Sequence, residues 1–164
     1  MFALIATVQA TNANSYLTDT EADTYFESQL FVDSWDNESQ SVKQKALVLA
    51  TKYIDQEYFA GVKSTQTQSL EFPRIGVVNK QGYYVDNTTI PQALKDATCE
   101  LAIFIIEEGK RQNVHQDSKI ESYNLDGISV VVDTKFKLPK SVMACLAQIG
   151  PGVVMAKRPI RLIK

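Results

Sequence analysis

Between Pro91 and Gly109 the chain has the pattern of a helix that is apolar on nearly every face. One stripe repeats at helical spacing and other apolar residues fill the remaining faces: Leu94, Ala97, Leu101, Phe104 and Ile105, then Ala102, Ile103 and Ile106. Such a helix is stable only when other elements of a core surround it. Pro91 suits the first turn, where its missing N–H costs little. The pattern therefore predicts a buried central helix that ends at Gly109.

Three further helices are predicted around this one. Thr18 and Glu21 have the spacing of a capping box, in which two side chains satisfy backbone N–H groups at a helix start. An apolar face over residues 18–30 follows this cap. A second helix is predicted to start near residue 39 or 41 and to reach about residue 59, with an apolar stripe of Val42, Ala46, Leu49, Ala50, Tyr53 and Ile54. A fourth helix is predicted from Pro139 to residue 150, because proline opens it and glycine closes it.

The remaining segments have different patterns. Residues 120–133 alternate around Asp126-Gly127, which predicts a β-hairpin. Residues 2–10 have the pattern of a short strand, and Tyr83, Tyr84 and Val85 could add another. Residues 61–90 read as a loop that three apolar side chains pin to the core: Leu70, Phe72 and Ile75.

The fold class predicted from these elements is mainly α. It is a small bundle of about four helices with a β-hairpin near 120–133 and extended N- and C-terminal arms. The length of 164 residues suits one core. We expect residues 1–150 to form the helical domain and residues 151–164 to form the C-terminal arm. The apolar N-terminus lacks preceding basic residues, and no apolar run is long enough to span a bilayer, so neither a signal peptide nor a membrane partner is expected.

Charge is distributed unevenly along the chain. Residues 134–164 hold seven basic residues and no acidic one, whereas residues 1–133 hold 10 basic and 19 acidic residues, a net charge of −9. A basic end on an acidic body is typical of a segment that meets a partner of opposite sign. The residues predicted to bind a partner are Lys157, Arg158, Arg161 and Lys164.

No pattern in the sequence indicates catalysis or a cofactor. His115 is the only histidine, and Cys99 and Cys145 are far from it and from each other, so the close ligand spacing of a zinc site is missing. Phosphate-binding glycine motifs are also missing. Adjacent carboxylates such as Glu107 and Glu108 are the only argument for a third alternative, a small hydrolase. We expect no enzyme, no metal and no cofactor, with both cysteines reduced and inert.

Nucleic-acid binding is the more serious alternative. The basic end can meet phosphates, and Tyr83, Tyr84 and Phe136 can stack on bases. The sequence pI of about 5.4 argues against a dedicated basic face. Binding of single-stranded DNA in a replication system therefore stands as the second hypothesis.

Four fragments, taken in order, resemble a family of tailed-bacteriophage head–tail connector (adaptor) proteins. They are residues 13–26, with ANSYLT and EADTYF; residues 45–55, KALVLATKYID; residues 68–74, QSLEFPR; and residues 90–102, IPQALKDATCELA. Some members of that family carry the label of DnaT-like single-stranded-DNA-binding protein. In the third fragment we expect structural roles, with Phe72 in the core, Pro73 in a turn and Arg74 in a loop salt bridge.

This resemblance implies a structural subunit of the virion. Such proteins form rings, commonly of twelve subunits, under the portal protein at the capsid exit. The ring extends the channel through which genomic DNA passes without sequence-specific binding, and it docks the tail or a stopper or terminator protein. The expected location is the virion neck, after synthesis in the host cytoplasm. Residues 1–150 would then be a connector domain, and the basic arm would grip the portal or a neighbouring subunit.

Overall fold

The structure, a computed structural model, describes residues 3–114, 124–125, 128–129 and 138–150. Its helices are α1 (Asp19–Phe26), α2 (Asp33–Asp36), α3 (Gln40–Ile54), α4 (Gln92–Val114) and α5 (Lys140–Leu146). Its strands are β1 (Val62–Lys63), β2 (Arg74–Ile75), β3 (Asn124–Leu125) and β4 (Ile128–Ser129). β1 pairs with β2 and β3 pairs with β4, both antiparallel. The prediction of a mainly helical fold with a β-hairpin is confirmed. The terminal arm at 151–164 lies outside the described residues, so the domain division stays a prediction.

The long helix α4 is the centre of the fold, as its sequence predicts. It packs against α1, α2, α3 and α5. Leu94, Ala97 and Leu101 are fully buried on it. The predicted end at Gly109 is wrong, because the helix continues to Val114. Glycine inside a helix costs about 1 kcal/mol relative to alanine, and the packing of the preceding turns offsets that cost.

Helix α1 begins as predicted and ends earlier than predicted. The Thr18 N–H donates to the Glu21 carboxylate at 2.8 Å, and the Glu21 N–H donates to the Thr18 hydroxyl at 3.2 Å. The capping box is therefore confirmed. The predicted apolar face does not reach Leu30, which lies beyond the helix and is 82% exposed.

A carboxylate joins the first three helices. Asp23 on α1 accepts a hydrogen bond from the indole N–H of Trp35 on α2 at 2.8 Å. The same oxygen accepts from the ammonium of Lys43 on α3 at 2.9 Å. Trp35 is fully buried, and its ring lies 4.6 Å from the ring of Phe26. Helix α2 was not predicted, because four residues are too few to show a helical period.

Helix α3 starts where the sequence predicts and presents a rotated face. The Ser39 hydroxyl caps its first turn by accepting from the Val42 N–H. Leu47 and Thr51 are buried on it, whereas Val42 and Leu49 of the predicted stripe are each 37% exposed. The helix ends at Ile54, five residues before the predicted end near residue 59.

The segment between α3 and α4 is ordered by Arg74. Phe72 is buried as predicted, and Leu70 is partly buried against the core. Ile75 was predicted to pin this loop, and this is wrong because β2 turns Arg74 inward and leaves Ile75 46% exposed. The guanidinium of Arg74 donates to the backbone carbonyls of three successive residues and to a carboxylate: Phe59, Ala60, Gly61 and Glu71. The predicted roles of Phe72 in the core and of Arg74 in a loop salt bridge are confirmed.

The N-terminal segment and the later hairpin complete the description. Residues 3–10 do not form the predicted strand. Their backbone is held by Asn14, whose side chain accepts from the Ile5 N–H at 2.7 Å and donates to the Ala3 carbonyl at 2.9 Å. β3 and β4 pair on either side of residues 126–127, which lie outside the described residues. No helix in the described part of the chain is both long and apolar enough to cross a membrane.

Candidate functional site

A short hairpin, residues 77–85, projects from the loop between α3 and α4; we call it the tyrosine hairpin. The Val85 N–H donates to the Val77 carbonyl at 2.9 Å, and the Asn79 N–H donates to the Tyr83 carbonyl at 2.8 Å. Val78 and Tyr84 form an antiparallel bridge between its two sides. Val77 is 1% exposed, so the base of the hairpin is anchored in the core. The predicted strand at residues 83–85 is present only as this bridge.

The tip of the tyrosine hairpin is set by local sequence. The side-chain oxygen of Asn79 accepts from the backbone N–H groups of Gln81 and Tyr83, each at 3.0 Å. Gly82 has a φ of +91°, a region that favours glycine. Asparagine at the start of a turn and glycine near its end are typical of such tips. The turn therefore has a fixed geometry without any support from the core.

Two aromatic rings stand on this hairpin with little protein around them. Tyr83 is 72% exposed and Tyr84 is 80% exposed, and Lys80 at the tip is exposed as well. Large aromatic side chains in solvent lose the free energy of burial and usually mark contact surfaces. The two tyrosines that were predicted to stack on bases are thus both exposed to solvent on one ordered hairpin.

The surface beside the hairpin is also apolar. Val62 on β1 is 63% exposed and Ile75 on β2 is 46% exposed. β1 lies against the hairpin through Gly61, where an added Cβ would stand 3.3 Å from the Val77 side chain. The backbone carbonyl of Asn87, in the loop after the hairpin, accepts a hydrogen bond from the Ser64 hydroxyl at 2.7 Å. It also accepts one from the Gln9 side-chain amide at 3.2 Å. The β1–β2 pair and the tyrosine hairpin thus form one continuous surface, and these contacts hold its parts together.

The C-terminal end of the described chain meets this same surface. Gly150 packs so closely on the hairpin that a Cβ there would stand 2.2 Å from the Val78 carbonyl oxygen. Residues 151–164 therefore start from the base of the tyrosine hairpin. The predicted partner-binding residues, Lys157, Arg158, Arg161 and Lys164, lie outside the described residues, as do Phe136 and His115. Their attachment point is nevertheless beside Tyr83 and Tyr84 in the fold.

The clefts in the described part of the chain offer little chemistry. A cleft of about 260 Å³ between α1 and α4 contains the Lys95–Glu21 ion pair at 2.5 Å. Cys99 borders it, and burial raises the pKa of its thiol far above the usual range. A thiol in that state is a poor nucleophile, because the thiolate is the reactive form. Among the described residues no cluster of His, Cys, Asp and Glu could hold a metal ion.

One comparison with known proteins identifies the family. A family model described as "Putative DnaT-like ssDNA binding protein" matches residues 2–155, which is nearly the whole chain. The chain belongs to this DnaT-like family. No curated protein and no solved structure matches it. The family match covers the tyrosine hairpin, the central helix and the first five residues after Gly150.

This match overturns the prediction of a head–tail connector. The ring of twelve subunits, the portal and tail partners, the passive passage of genomic DNA and the place in the virion neck were all implied by that resemblance, and they are wrong with it. The structure gives the physical reason, because the motif residues serve local folding. Thr18 caps a helix, Asp55 accepts from Tyr16, and Arg74 orders a loop. Such residues identify a fold and carry no information about a partner.

Sequence reasoning found the tyrosines and missed the element that presents them. It placed Tyr83 and Tyr84 in a loop with a short strand and did not single out Lys80. The signal was present in Asn79 and Gly82, which flank a two-residue tip between apolar residues. Gly150 was expected only to end a helix, and its contact with Val78 joins residues far apart in sequence.

Proposed function

We propose that this DnaT-like protein binds single-stranded DNA, with Tyr83 and Tyr84 as stacking residues. The observation that carries the proposal is the exposure of both rings on one ordered hairpin, in a chain of a family described as binding ssDNA. Aromatic side chains bind successive bases of a single strand without reading their sequence. A duplex hides those base faces, so the expected preference is for single strands. Such an activity belongs to a replication system in the cytoplasm.

We assign phosphate contacts to the basic residues of the C-terminal segment and to Lys80 on the hairpin. Lys80 stands at its tip, and the four basic residues of 157–164 follow an attachment point at its base. The acidic body of the protein repels DNA elsewhere on its surface. Binding is therefore expected at the tyrosine hairpin and through the basic residues that follow Gly150 in the sequence. We propose no catalytic step on the DNA and no cofactor.

The test is fluorescence anisotropy of a labelled oligothymidylate of about 20 nucleotides. We expect saturable binding at low ionic strength that weakens as salt rises. If Lys80 and the four C-terminal basic residues each neutralise one phosphate, the slope of log K against log salt is about −3.5. Replacing Arg158 and Arg161 with alanine should make the slope shallower by about 1.4. Absence of any anisotropy change at low ionic strength would remove the proposal.

Paired variants separate stacking from folding. Tyr83→Ala and Tyr84→Ala should each weaken binding between about 5-fold and 150-fold, because one stacked base contributes about 1 to 3 kcal/mol. Tyr83→Phe and Tyr84→Phe should bind like the parent, since the ring face is retained. Lys80→Ala should reduce the salt slope, whereas Lys45→Ala, an exposed lysine on α3, should not. Equal effects of the phenylalanine and alanine variants would contradict stacking.

A further inference from the structure

Two large apolar side chains project between α1 and α2; we call Leu30 and Phe31 the apolar prong. Leu30 is 82% exposed and Phe31 is 90% exposed. Phe31 has a φ of +62°, a conformation that is uncommon for a bulky residue and unfavourable without compensation. Exposed apolar residues with a strained backbone are features of contact sites.

The prong stands on a rigid base. The Gln29 N–H donates to the Phe26 carbonyl at 2.9 Å on one side, and the Trp35 N–H donates to the Val32 carbonyl at 2.8 Å on the other. Phe26 and Trp35 are both buried, and their rings are in contact. The two ends of the short segment are therefore fixed. The outward direction of Leu30 and Phe31 follows from this anchoring.

Carboxylates lie on both sides of the prong along the chain. Glu27, Asp33 and Asp36 are exposed, and none of them belongs to an ion pair with another described residue. Residues 1–42 contain seven acidic residues and no lysine or arginine. The prong therefore repels the phosphates of nucleic acid. The ligand that suits it is a peptide with both apolar and basic side chains.

The chain itself contains such a peptide. Residues 157–164 read KRPIRLIK, with four basic residues, three large aliphatic residues and no acidic residue. We propose that residues 157–164 dock on the apolar prong of their own chain when no DNA is bound. The aliphatic side chains cover Leu30 and Phe31, and the basic side chains pair with the acidic rim. Single-stranded DNA then competes for the same basic residues, a step that rests on the proposed function.

The geometry of the chain permits this contact. Ten residues separate Gly150 from Ile160, and an extended chain of that length spans at most about 33–36 Å. A domain of this size has a radius of gyration of about 15 Å. Helix α1, which precedes the prong, and α5, the last described helix, both pack against α4. Tethering raises the local concentration of the segment, and weak contacts therefore suffice.

A photocrosslinker in place of Phe31 tests the docking in the full chain. We would replace Phe31 with p-benzoylphenylalanine, irradiate the protein without DNA and map the products by proteolysis and mass spectrometry. The expected product joins residue 31 to a peptide within 157–164 of the same molecule. The same crosslinker at Val42, exposed on α3, should not reach that peptide. Products with other segments, with a second chain, or none at all would overturn the proposal.

A charge swap checks that the acidic rim is responsible. Glu27 and Asp36 lie at the C-terminal ends of α1 and α2, where lysine suits the helix dipole. Glu27→Lys with Asp36→Lys should lower the crosslink yield at least several-fold. Adding Arg158→Glu and Arg161→Glu should restore it. Failure of the second pair to restore the yield would show that charge pairing is not the cause and would overturn the proposal.

Adding DNA separates this inference from the proposed function. An oligothymidylate that binds by anisotropy should reduce the crosslink yield as its concentration rises. A yield that stays constant while DNA is bound would overturn the competition. If the oligonucleotide fails to bind while the crosslink forms without it, the proposed function is wrong and the docking stands.

Discussion

The hydroxyl of Tyr16 donates a hydrogen bond to the carboxylate of Asp55, joining the N-terminal segment to the end of α3. The second oxygen of Asp55 accepts from the Glu71 N–H at 3.3 Å. Tyr16 is 1% exposed, so the pair lies at the edge of the core. Burial raises the pKa of Asp55 from 3.8 to about 6, with a further increase from the Glu71 carboxylate, although both hydrogen bonds act against the shift.

This raised pKa predicts a stability change in mildly acidic solution. The folded state holds the Asp55 proton more tightly than the unfolded chain, so the contribution is complete below pH 3.8 and is lost as the pH rises through about 6. The loss is on the order of 3 kcal/mol. Asp55→Asn removes the titration. Urea denaturation between pH 4 and 7 should show the variant gaining stability relative to the parent, and parallel curves would contradict the assignment.

Arg74 should be among the least replaceable residues. Arg74→Ala leaves backbone carbonyls at residues 59–61 without their donor, and we expect a loss of about 3 to 5 kcal/mol. Arg74→Lys should recover only part of this, because an ammonium lacks the planar fork that reaches several acceptors. Urea denaturation gives the values. An alanine variant within 0.5 kcal/mol of the parent, as we expect for the exposed Lys80→Ala, would refute the role.

Gly61 and Gly82 allow the cost of a positive φ alone to be compared with the cost of a positive φ together with a steric clash of the added Cβ. Both have positive φ, +72° and +91°. A Cβ at Gly61 would stand 2.2 Å from the Ile75 carbonyl oxygen, whereas nothing lies within 4 Å of a Cβ at Gly82. Gly82→Ala should cost about 1 kcal/mol from the backbone alone, and Gly61→Ala should cost clearly more. Equal losses in thermal unfolding would mean that the backbone relaxes around Gly61.

The cap of α1 gives a smaller and well-defined effect. Thr18→Ala removes the acceptor for the Glu21 N–H, and the expected cost is about 1 kcal/mol. Thr18→Ser keeps the hydroxyl and should stay near the parent value. The measurement is the free energy of unfolding for the two variants under the same conditions. A serine variant as unstable as the alanine variant would locate the effect in the methyl group.

The starts of α1, α3, α4 and α5 were predictable from sequence because the signals at helix starts are local. Each of these signals lies within one turn of the helix start: the Thr18–Glu21 capping box, the Ser39 cap, and the prolines before α4 and α5. Helix ends were less predictable. The sequence predicted that α4 ends at Gly109 and that α3 extends to about residue 59, because glycine and apolar spacing were the only signals for these ends. Tertiary packing decides where a frayed end stops.

The loop between α3 and α4 shows where sequence patterns mislead. Charged residues usually face solvent and isoleucine usually faces the core, yet β2 buries Arg74 and exposes Ile75. The arrangement follows from the backbone carbonyls of residues 59–61, which accept hydrogen bonds from the Arg74 guanidinium, and no local sequence pattern indicates these acceptors. The candidate site was half predictable for the same reason. Tyr83 and Tyr84 were found by residue type, whereas the support from Gly150 depends on a long-range contact.

The burial of Cys99 also means that thiol modification can detect transient opening of the helical core. The sequence has only two cysteines, and both are free: Cys99 in the core and Cys145, half-buried on α5. A thiol reagent should modify Cys145 directly. It can reach Cys99, which is fully buried, only after α4 moves away from the elements packed on it. The rate of Cys99 modification relative to that of Cys145 therefore reports how readily the helical core opens, and the measurement requires no added label.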